Sequence, residues 1–348
     1  MSQVTYADAG VDIEAGNEVV RRIKSAVQAT FSPHVIGGIG GFGAMFDLKS
    51  ALSGYNHPVM VQSIDGVGTK TIVARMAGQF AHLGHDLLSA CANDILVLGA
   101  KTLTMLDYVA NDKLNPDTVE TIVKSMAEAC RVNGVSLVGG ETAEMPDTYL
   151  PGEHDLVGVV TGVVELDAII DGRTIAPGHV VYGLASSGLH TNGFSLARKL
   201  LFEVGGYAID AELDTVGQTV AEALLAPHIN YSSIVHAVLD AGVQVAGMAH
   251  ITGGGVLENI PRVLPSGCGV NIALDSWSAP PLFARLCELG QLPIDEAYRA
   301  FNMGIGWVIV VAPEQVSALE SVLAEQAEMP YYRIGEVVPA AQSVVNLL

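Results

Sequence analysis

Apolar residues recur along this chain in two rhythms. Runs at PVMVQSI (58–64), TLTMLDYVA (102–110), GVSLVGG (134–140) and DLVGVVTGVVE (155–165) are short and bounded by turn residues, which predicts strands. Between them, LGHDLLSACANDILVL from Leu83 and PDTVETIVKSMAEACRVNG keep a helical spacing. The second has Pro116 near its start and Gly134 just past its end, as a helix with defined ends does. At 166–178, LDAIIDGRTIAPG loses the periodicity to polar and turn residues and reads as a connector. The alternation then resumes, with strands predicted at 179–186, 245–251, 267–274, 306–312 and 331–338. Helices are predicted after Thr-Asn-Gly at 191–193, after the glycine run at 253–255, and at Pro313. No short repeat or low-complexity tract is present. The pattern predicts two mixed α/β domains, residues 1–168 and 169–348.

Composition narrows the function. The longest apolar runs, such as DILVLGA, break well short of the roughly 20 residues that a membrane span needs. The opening MSQVTYADAGVDIEAGNEVV lacks a basic segment followed by an apolar one and is too acidic for a transit peptide, so the expected compartment is the cytoplasm. Cys91, Cys130, Cys268 and Cys287 are widely spaced and form no C-x-x-C, and they read as buried thiols rather than a zinc or disulfide framework. A net charge of −20, with only 17 Lys plus Arg, argues against nucleic acid or an anionic membrane as partner. With so few cations, a phosphate ligand has to be held by backbone N–H groups, helix N-termini and divalent metal.

Several glycine and acid motifs fit that requirement. Gly38, Gly40 and Gly43 of GIGGFG satisfy G-x-G-x-x-G, but no strand leads into them and no clear helix opens from them. The segment therefore reads as a flexible loop, a connector or a lid, and not as a dinucleotide fingerprint. No Walker A sequence occurs. QSIDGVGTKTI places Asp65 at a strand end followed by Gly66 and Gly68, where the backbone can turn sharply and a phosphate can approach. Asn93 and Asp94 lie in an apolar helical stretch, Asp107 interrupts a strand, and Glu141 and Glu144 sit in GGETAEMPD past another strand. Acids clustered at the edges of buried elements repel one another unless something positive joins them, and magnesium, which prefers oxygen ligands, fits.

DAGVDIEAGN (8–17), GGIGGFGA (37–44), DGVGTK (65–70), NDILVLGA (93–100), GGETAEMP (139–146), SSGLHTNGFSLARK (186–199), HITGGGVLENIPRVLP (250–265) and YRAFNMGIGW (298–307) occur in order over essentially the whole chain. Together they resemble the phosphoribosylformylglycinamidine cyclo-ligase (AIR synthetase) family of purine biosynthesis. Departures are modest: GAKTL stands where the family usually has Glu-Pro before the Leu, and Trp307 follows NMGIG, a segment where a Cys or other small residue is common.

The resemblance implies an α/β fold of two mixed domains, the first binding ATP and metal, with its sheet forming a barrel across a homodimer. It implies that ATP phosphorylates the formyl oxygen of formylglycinamidine ribonucleotide, after which the ribose-bearing nitrogen closes the imidazole with loss of phosphate. Asp65, Asp94 and Glu141 would hold magnesium on the triphosphate, with Asn93 as a further oxygen ligand. Lys70 would offer a point charge, and Lys24 is a second candidate cation. Gly40, Gly41, Gly43, Gly66, Gly68 and Thr69 would lie along the nucleotide. In the second half, SSGLHTNG and TGGG each read as strand, loop and helix start. They would bring Ser187, Gly188, Asn192, Thr252, Gly253 and Gly254 to the substrate. His190 is the candidate for moving a proton during ring closure, because imidazole titrates in the useful range. His250 reads as a packing or orienting residue.

Relatives sharing these motifs are separable. A selenophosphate synthetase would carry a reactive Cys near its N-terminal glycine loop, yet no Cys precedes Cys91. The hydrogenase-maturation dehydratase would end in a cysteine, whereas this chain ends VVNLL. A thiamine-monophosphate kinase would lack DAGVDIEAGN and SSGLHTNG. Retention of Asp65, Lys70, Asp94, Glu141 and His190 together argues against an inactive nucleotide-binding regulator.

Overall fold

A computed structural model describes residues 12–213, 216–326 and 329–348, so the 8–11 part of DAGVDIEAGN lies outside the described residues. The chain divides into two compact units. One takes in the described residues up to Ile95 and Lys101–Leu166, the other Leu96–Ala100 and Asp167–Leu348.

The first unit opens with α1 (Ile13–Gln28), which is N-capped by Asp12; the Asp12 carboxylate accepts the Ala15 N–H. A short hairpin, β1 (Val35–Ile36) and β2 (Met45–Phe46), precedes α2 (Leu48–Ala51). Then follow β3 (Pro58–Gly66), α3 (Lys70–Ala77), α4 (Leu83–Leu96), β4 (Lys101–Asn111), α5 (Pro116–Val132), β5 (Ser136–Glu144) and β6 (His154–Glu165). The sheet runs β3-β6-β4-β5, antiparallel except for β4 and β5, which are parallel because α5 crosses between them. One face is packed against helix. Gly158 of β6 lacks a side chain where Leu87 and Cys91 of α4, together with Met105, occupy the space, and a Cβ there would come within 2.8 Å of Met105. The other face is open, with Met60 and Ile64 of β3 and Leu106 of β4 exposed.

The second unit contains β7 (Val180–Ala185), α6 (Phe194–Arg198), β8 (Glu212–Leu213), β9 (Gln218–Thr219), α7 (Val220–Leu225), α8 (Ser232–Asp240), β10 (Val245–His250) and α9 (Gly255–Asn259). It continues with β11 (Cys268–Ile272), α10 (Pro281–Gly290), α11 (Ile294–Ala300), β12 (Ile305–Val311), α12 (Val316–Glu325), β13 (Tyr331–Pro339) and β14 (Val345–Leu347). Its sheet runs β10-β12-β7-β13-β11-β14, and only the β11–β14 pair is parallel. Every residue of β12 is buried. Tyr182, Leu184, Tyr231, Val235, Trp307 and Ile309 belong to one core cluster.

Each strand expected from the apolar runs is present, and both units are the mixed α/β type the alternation implied. The pattern did not anticipate β1, β2 or β14, which are two or three residues long and draw their pairing from neighbours rather than from periodicity. Among the described residues no helix is long and apolar enough to cross a membrane.

Candidate active site

In the first unit the chain leaves β3 through a tight turn. Val67 N–H donates to the Leu156 carbonyl at 3.1 Å, and Gly68 takes the left-handed φ of 65° that brings Lys70 to the start of α3. Asp65 is half-buried at the strand end, and its carboxylate accepts the Gly66 N–H at 2.7 Å. Ser63 lies two residues earlier, hence on the same face, and donates its hydroxyl to Asp94 Oδ2 at 3.2 Å. β3 and α4 therefore bring Asp65 and Asp94 to the helix-covered side of the sheet. Between them the Cys91 thiol is pushed up to about 12, chiefly by burial and further by both carboxylates. It is an inert structural thiol at neutral pH. Asn93 is fully buried, while its neighbour Asp94 is half-buried.

Glu141 is placed differently. Gly66, Val157, Tyr108 and Glu141 share one register row, and Asp65, Gly158, Asp107 and Gly140 share the next. Successive rows face opposite sides of a sheet. Glu141 thus points to the open face, and it sits on edge strand β5, with β4 and β6 between it and Asp65. Within one chain the structure brings Asp65 and Asp94 to one side and does not bring Glu141 to them. Asp107 lies on the face of Asp65; its enclosed carboxyl is pushed up to about 7 by burial. Glu144 accepts the N–H groups of Asp12, at 2.6 Å, and Leu114, at 2.9 Å, and so ties the start of α1 to the sheet.

Among the described residues no three His, Cys, Asp or Glu side chains gather closely enough to hold a metal ion by themselves. Magnesium needs no such cage: it takes one or two carboxylates and fills its remaining positions with water and phosphate. The hard-oxygen pair Asp65 and Asp94 fits that share of a site.

Lys70 does not reach outward. Its Nζ donates to Asp86 Oδ1 at 2.9 Å, and both side chains have no exposed surface. Burial lowers the Lys70 ammonium, and the Asp86 carboxylate opposes that shift. Asp86 escaped the sequence reading, although its signal was the one that singled out Asn93 and Asp94: an acid inside an apolar helix. Lys24 is exposed on α1. Gly40, Gly41 and Gly43 are exposed in the loop between β1 and β2, so GIGGFG is a hairpin tip and not a strand-to-helix turn.

In the second unit the two expected loops meet. A Cβ on Gly253 would stand 3.4 Å from Asn192 Oδ1. Two asparagines hold the loops, one far away in sequence and one just after its loop. Asn302 donates to the Gly188 carbonyl at 2.8 Å and accepts from Ser186 Oγ and the Gly304 N–H. Asn259 donates to the carbonyls of Thr252, Gly253 and Gly255. Both are buried and neither was foreseen, because an amide that satisfies loop carbonyls leaves no periodic trace.

His190 is 1 % exposed and adopts a left-handed φ of 61°, unusual for a residue with a side chain. Its Nε2 accepts the Ser187 N–H at 3.3 Å, and its ring stacks on His228 with centroids 4.1 Å apart. Ser187 itself donates its hydroxyl to the Pro227 carbonyl. Gly306 makes room for this packing: a Cβ there would stand 2.5 Å from the His190 ring and 2.1 Å from Tyr231 Oη. His250 is buried at the end of β10, beside Trp307 on the neighbouring strand. Among the described residues the buried indole N–H of Trp307 meets no acceptor.

The chain is similar along nearly its whole length to known proteins. The model of the AIR synthase related protein N-terminal domain matches residues 51–164, and that of the C-terminal domain residues 176–347. Phosphoribosylformylglycinamidine cyclo-ligase of Xanthomonas oryzae pv. oryzae (strain PXO99A) is 47% identical over 338 residues, 97% of each chain. That of Geobacter sulfurreducens is 48% identical over 344 residues, 98% of this chain and 97% of its own. Among solved structures, thiamine-monophosphate kinase from Stenotrophomonas maltophilia K279a superposes with a TM-score of 0.69 at 17% identity, covering 93% of this chain and 96% of its own. The hydrogenase maturation protein HypE in complex with ATP gives 0.66 at 18%, covering 98% and 93%. At such identities these two share the fold.

Proposed function

The chain belongs to the phosphoribosylformylglycinamidine cyclo-ligase family, and on that premise we propose how its residues divide the work. The reaction is the ATP-dependent closure of formylglycinamidine ribonucleotide to 5-aminoimidazole ribonucleotide, with release of ADP and phosphate. In it the formyl oxygen takes the γ-phosphoryl group, the ribose-bearing nitrogen bonds to the formyl carbon and loses one proton, and phosphate departs with the oxygen.

Residues 1–168 serve as the ATP and metal domain. Asp65 and Asp94 would hold magnesium on the triphosphate. Bound there, the ion neutralises charge on the phosphates during transfer. The turn at Gly66, Gly68 and Thr69 offers main-chain N–H groups to the nucleotide, and the exposed glycines at 40, 41 and 43 are free to fold over it. Glu141, on the open face and at an edge, stays outside the Asp65–Asp94 pair. This reading also includes a homodimer that covers the open face. The exposed Met60, Ile64 and Leu106 support it, since large apolar side chains on an unpaired sheet favour a partner. Lys70, paired inside with Asp86, acts by fixing the start of α3 rather than as a direct phosphate contact.

Residues 169–348 hold the ribonucleotide between the 186–193 and 250–255 loops. His190 takes the proton released at ring closure. The observation that carries this division is the separation of the chemistry itself: the paired carboxylates are all in the first unit and the facing glycine loops in the second. It is tested by mixing the purified protein with ATP, magnesium and the ribonucleotide, and following aminoimidazole by diazo coupling and ADP by a coupled assay. One ADP per aminoimidazole is expected. His190→Ala should lower ring closure by about 100-fold or more while calorimetry still reports ATP binding. A tenfold loss of nucleotide affinity in that variant, with its fold unchanged, would move His190 to the ATP site.

A further inference from the structure

His228 belongs to none of the motifs that carry the family resemblance, yet it stands between the two loops assigned to the ribonucleotide. It lies in the segment joining α7 to α8 and is 3 % exposed. On one side its Nδ1 is 3.3 Å from Thr191 Oγ1, on the first loop, and its ring stacks on His190. On the other, its Nε2 is 3.1 Å from Nε2 of His250, the residue that leads into the second loop. The same segment is anchored at two more points. Pro227 accepts the Ser187 hydroxyl, and Tyr231 Oη donates to the Ala185 carbonyl at 2.8 Å.

A bond between two Nε2 atoms requires that one ring carry its proton there and that the other accept. Asn192 donates its amide to Thr191 Oγ1 at 3.4 Å, and the threonine hydroxyl pairs in turn with His228 Nδ1. The hydrogen bonds form one continuous chain, in which each polarises the next. It runs from Asn192, the side chain that faces Gly253, back through Thr191 and His228 to the root of the opposite loop.

We propose that His228 is a positioning residue that locks the 186–193 and 250–255 loops into one frame through the chain Asn192–Thr191–His228–His250. It holds the stacked His190 ring in its left-handed backbone conformation as part of that frame. This rests on the reading of the two loops as the ribonucleotide site.

Two variants and one spectrum test it. His228→Phe keeps an aromatic ring against His190 but removes both nitrogens. The KM for formylglycinamidine ribonucleotide should rise and kcat fall, by about tenfold or more combined, with the KM for ATP unchanged. Thr191→Val cuts the same chain from a less buried position and should shift the same two parameters in the same direction. In His228→Ala, added imidazole should restore activity and added benzene should not. In 15N-histidine-labelled wild type, a trans-hydrogen-bond 15N–15N coupling should link the Nε2 atoms of His228 and His250. Folded His228→Phe and Thr191→Val proteins with wild-type KM and kcat would overturn the proposal, and so would a spectrum of folded wild type without that coupling. The spectrum needs no turnover, so wild-type protein that showed the coupling but formed no aminoimidazole would sink the functional reading and leave the hydrogen-bond chain standing.

Discussion

The two sheets differ in how far the chain covers them. In the first unit Met60 and Ile64 are 65% and 68% exposed, and among the described residues both edges of the four-stranded sheet lack a partner strand. In the second, β12 is buried along its whole length, and the imidazoles of His190, His228 and His250 are buried with it. The difference separates two ways of making a site. Asp65 at the end of β3 and Asp94 on α4 sit half-buried, where on the proposed reading metal and phosphate complete them. The histidines are enclosed and fixed by hydrogen bonds, so they contribute geometry more than exposed charge.

The sharpest way to break the comparison is Asp94→Asn. If the first unit completes its site with metal, the amide should lower ATP turnover by about 100-fold or more, because it cannot balance the ion's charge. Circular dichroism should show an unchanged fold. Wild-type turnover would remove Asp94 from the metal site.

A second variant asks whether the first unit also contains a sealed polar element of its own. Lys70→Met strands the Asp86 carboxylate in the core and should cost about 3–5 kcal/mol in urea unfolding. Adding Asp86→Leu should recover most of that loss. Retained ATP turnover in the double variant would show that Lys70 does not contact phosphate.

Asp107 gives the comparison a pH axis. Its carboxyl has its ordinary value of 3.8 in the unfolded chain and about 7 in the folded one. The folded state therefore binds the proton more tightly, and this residue's contribution to stability is full below pH 4 and lost as pH rises to about 7. At about 1.4 kcal/mol per unit, the upper limit of that loss is on the order of 4 kcal/mol. Asp107→Asn should match wild type in Tm near pH 4 and exceed it at pH 8. Equal Tm differences at both pH values would mean that the carboxyl is not held protonated.

The smallest effect expected is at the open face. Met60→Lys should leave each chain folded but weaken self-association, read as a lower molar mass in light scattering at micromolar concentration. A wild-type protein already monomeric there would refute the homodimer.

Much of this architecture was legible in the apolar rhythm. Strands at 58–66, 101–111 and 154–165 announce themselves because a covered sheet needs apolar side chains at a period of two, or a continuous run where both faces are covered. The ends of the helix at Pro116–Val132 were marked by Pro116 at its start and Gly134 just past its end. The site was legible only as a set of residue types. Asp65, Asp94 and Glu141 read alike in the sequence, as acids at the edges of buried elements. Only the order β3-β6-β4-β5 and the alternation of register rows reveal that Glu141 faces away from the other two. Asp86, Asn259, Asn302 and His228 were missed for a related reason. Asp86, Asn302 and His228 act through partners distant in the chain, and Asn259 through carbonyls of the loop just before it, and no periodic pattern encodes either.

By itself, the amino-acid sequence determined the longer elements, the glycine turns and the family. These depend on local geometry, on periodicity and on residues ordered along the chain. The tertiary structure alone decided which charges are paired, which face each acid takes and which loops meet. A hydrogen bond such as His228 to His250, or an ion pair such as Lys70 to Asp86, depends on distance in space and on the exclusion of water. Both are set by packing after the chain has folded.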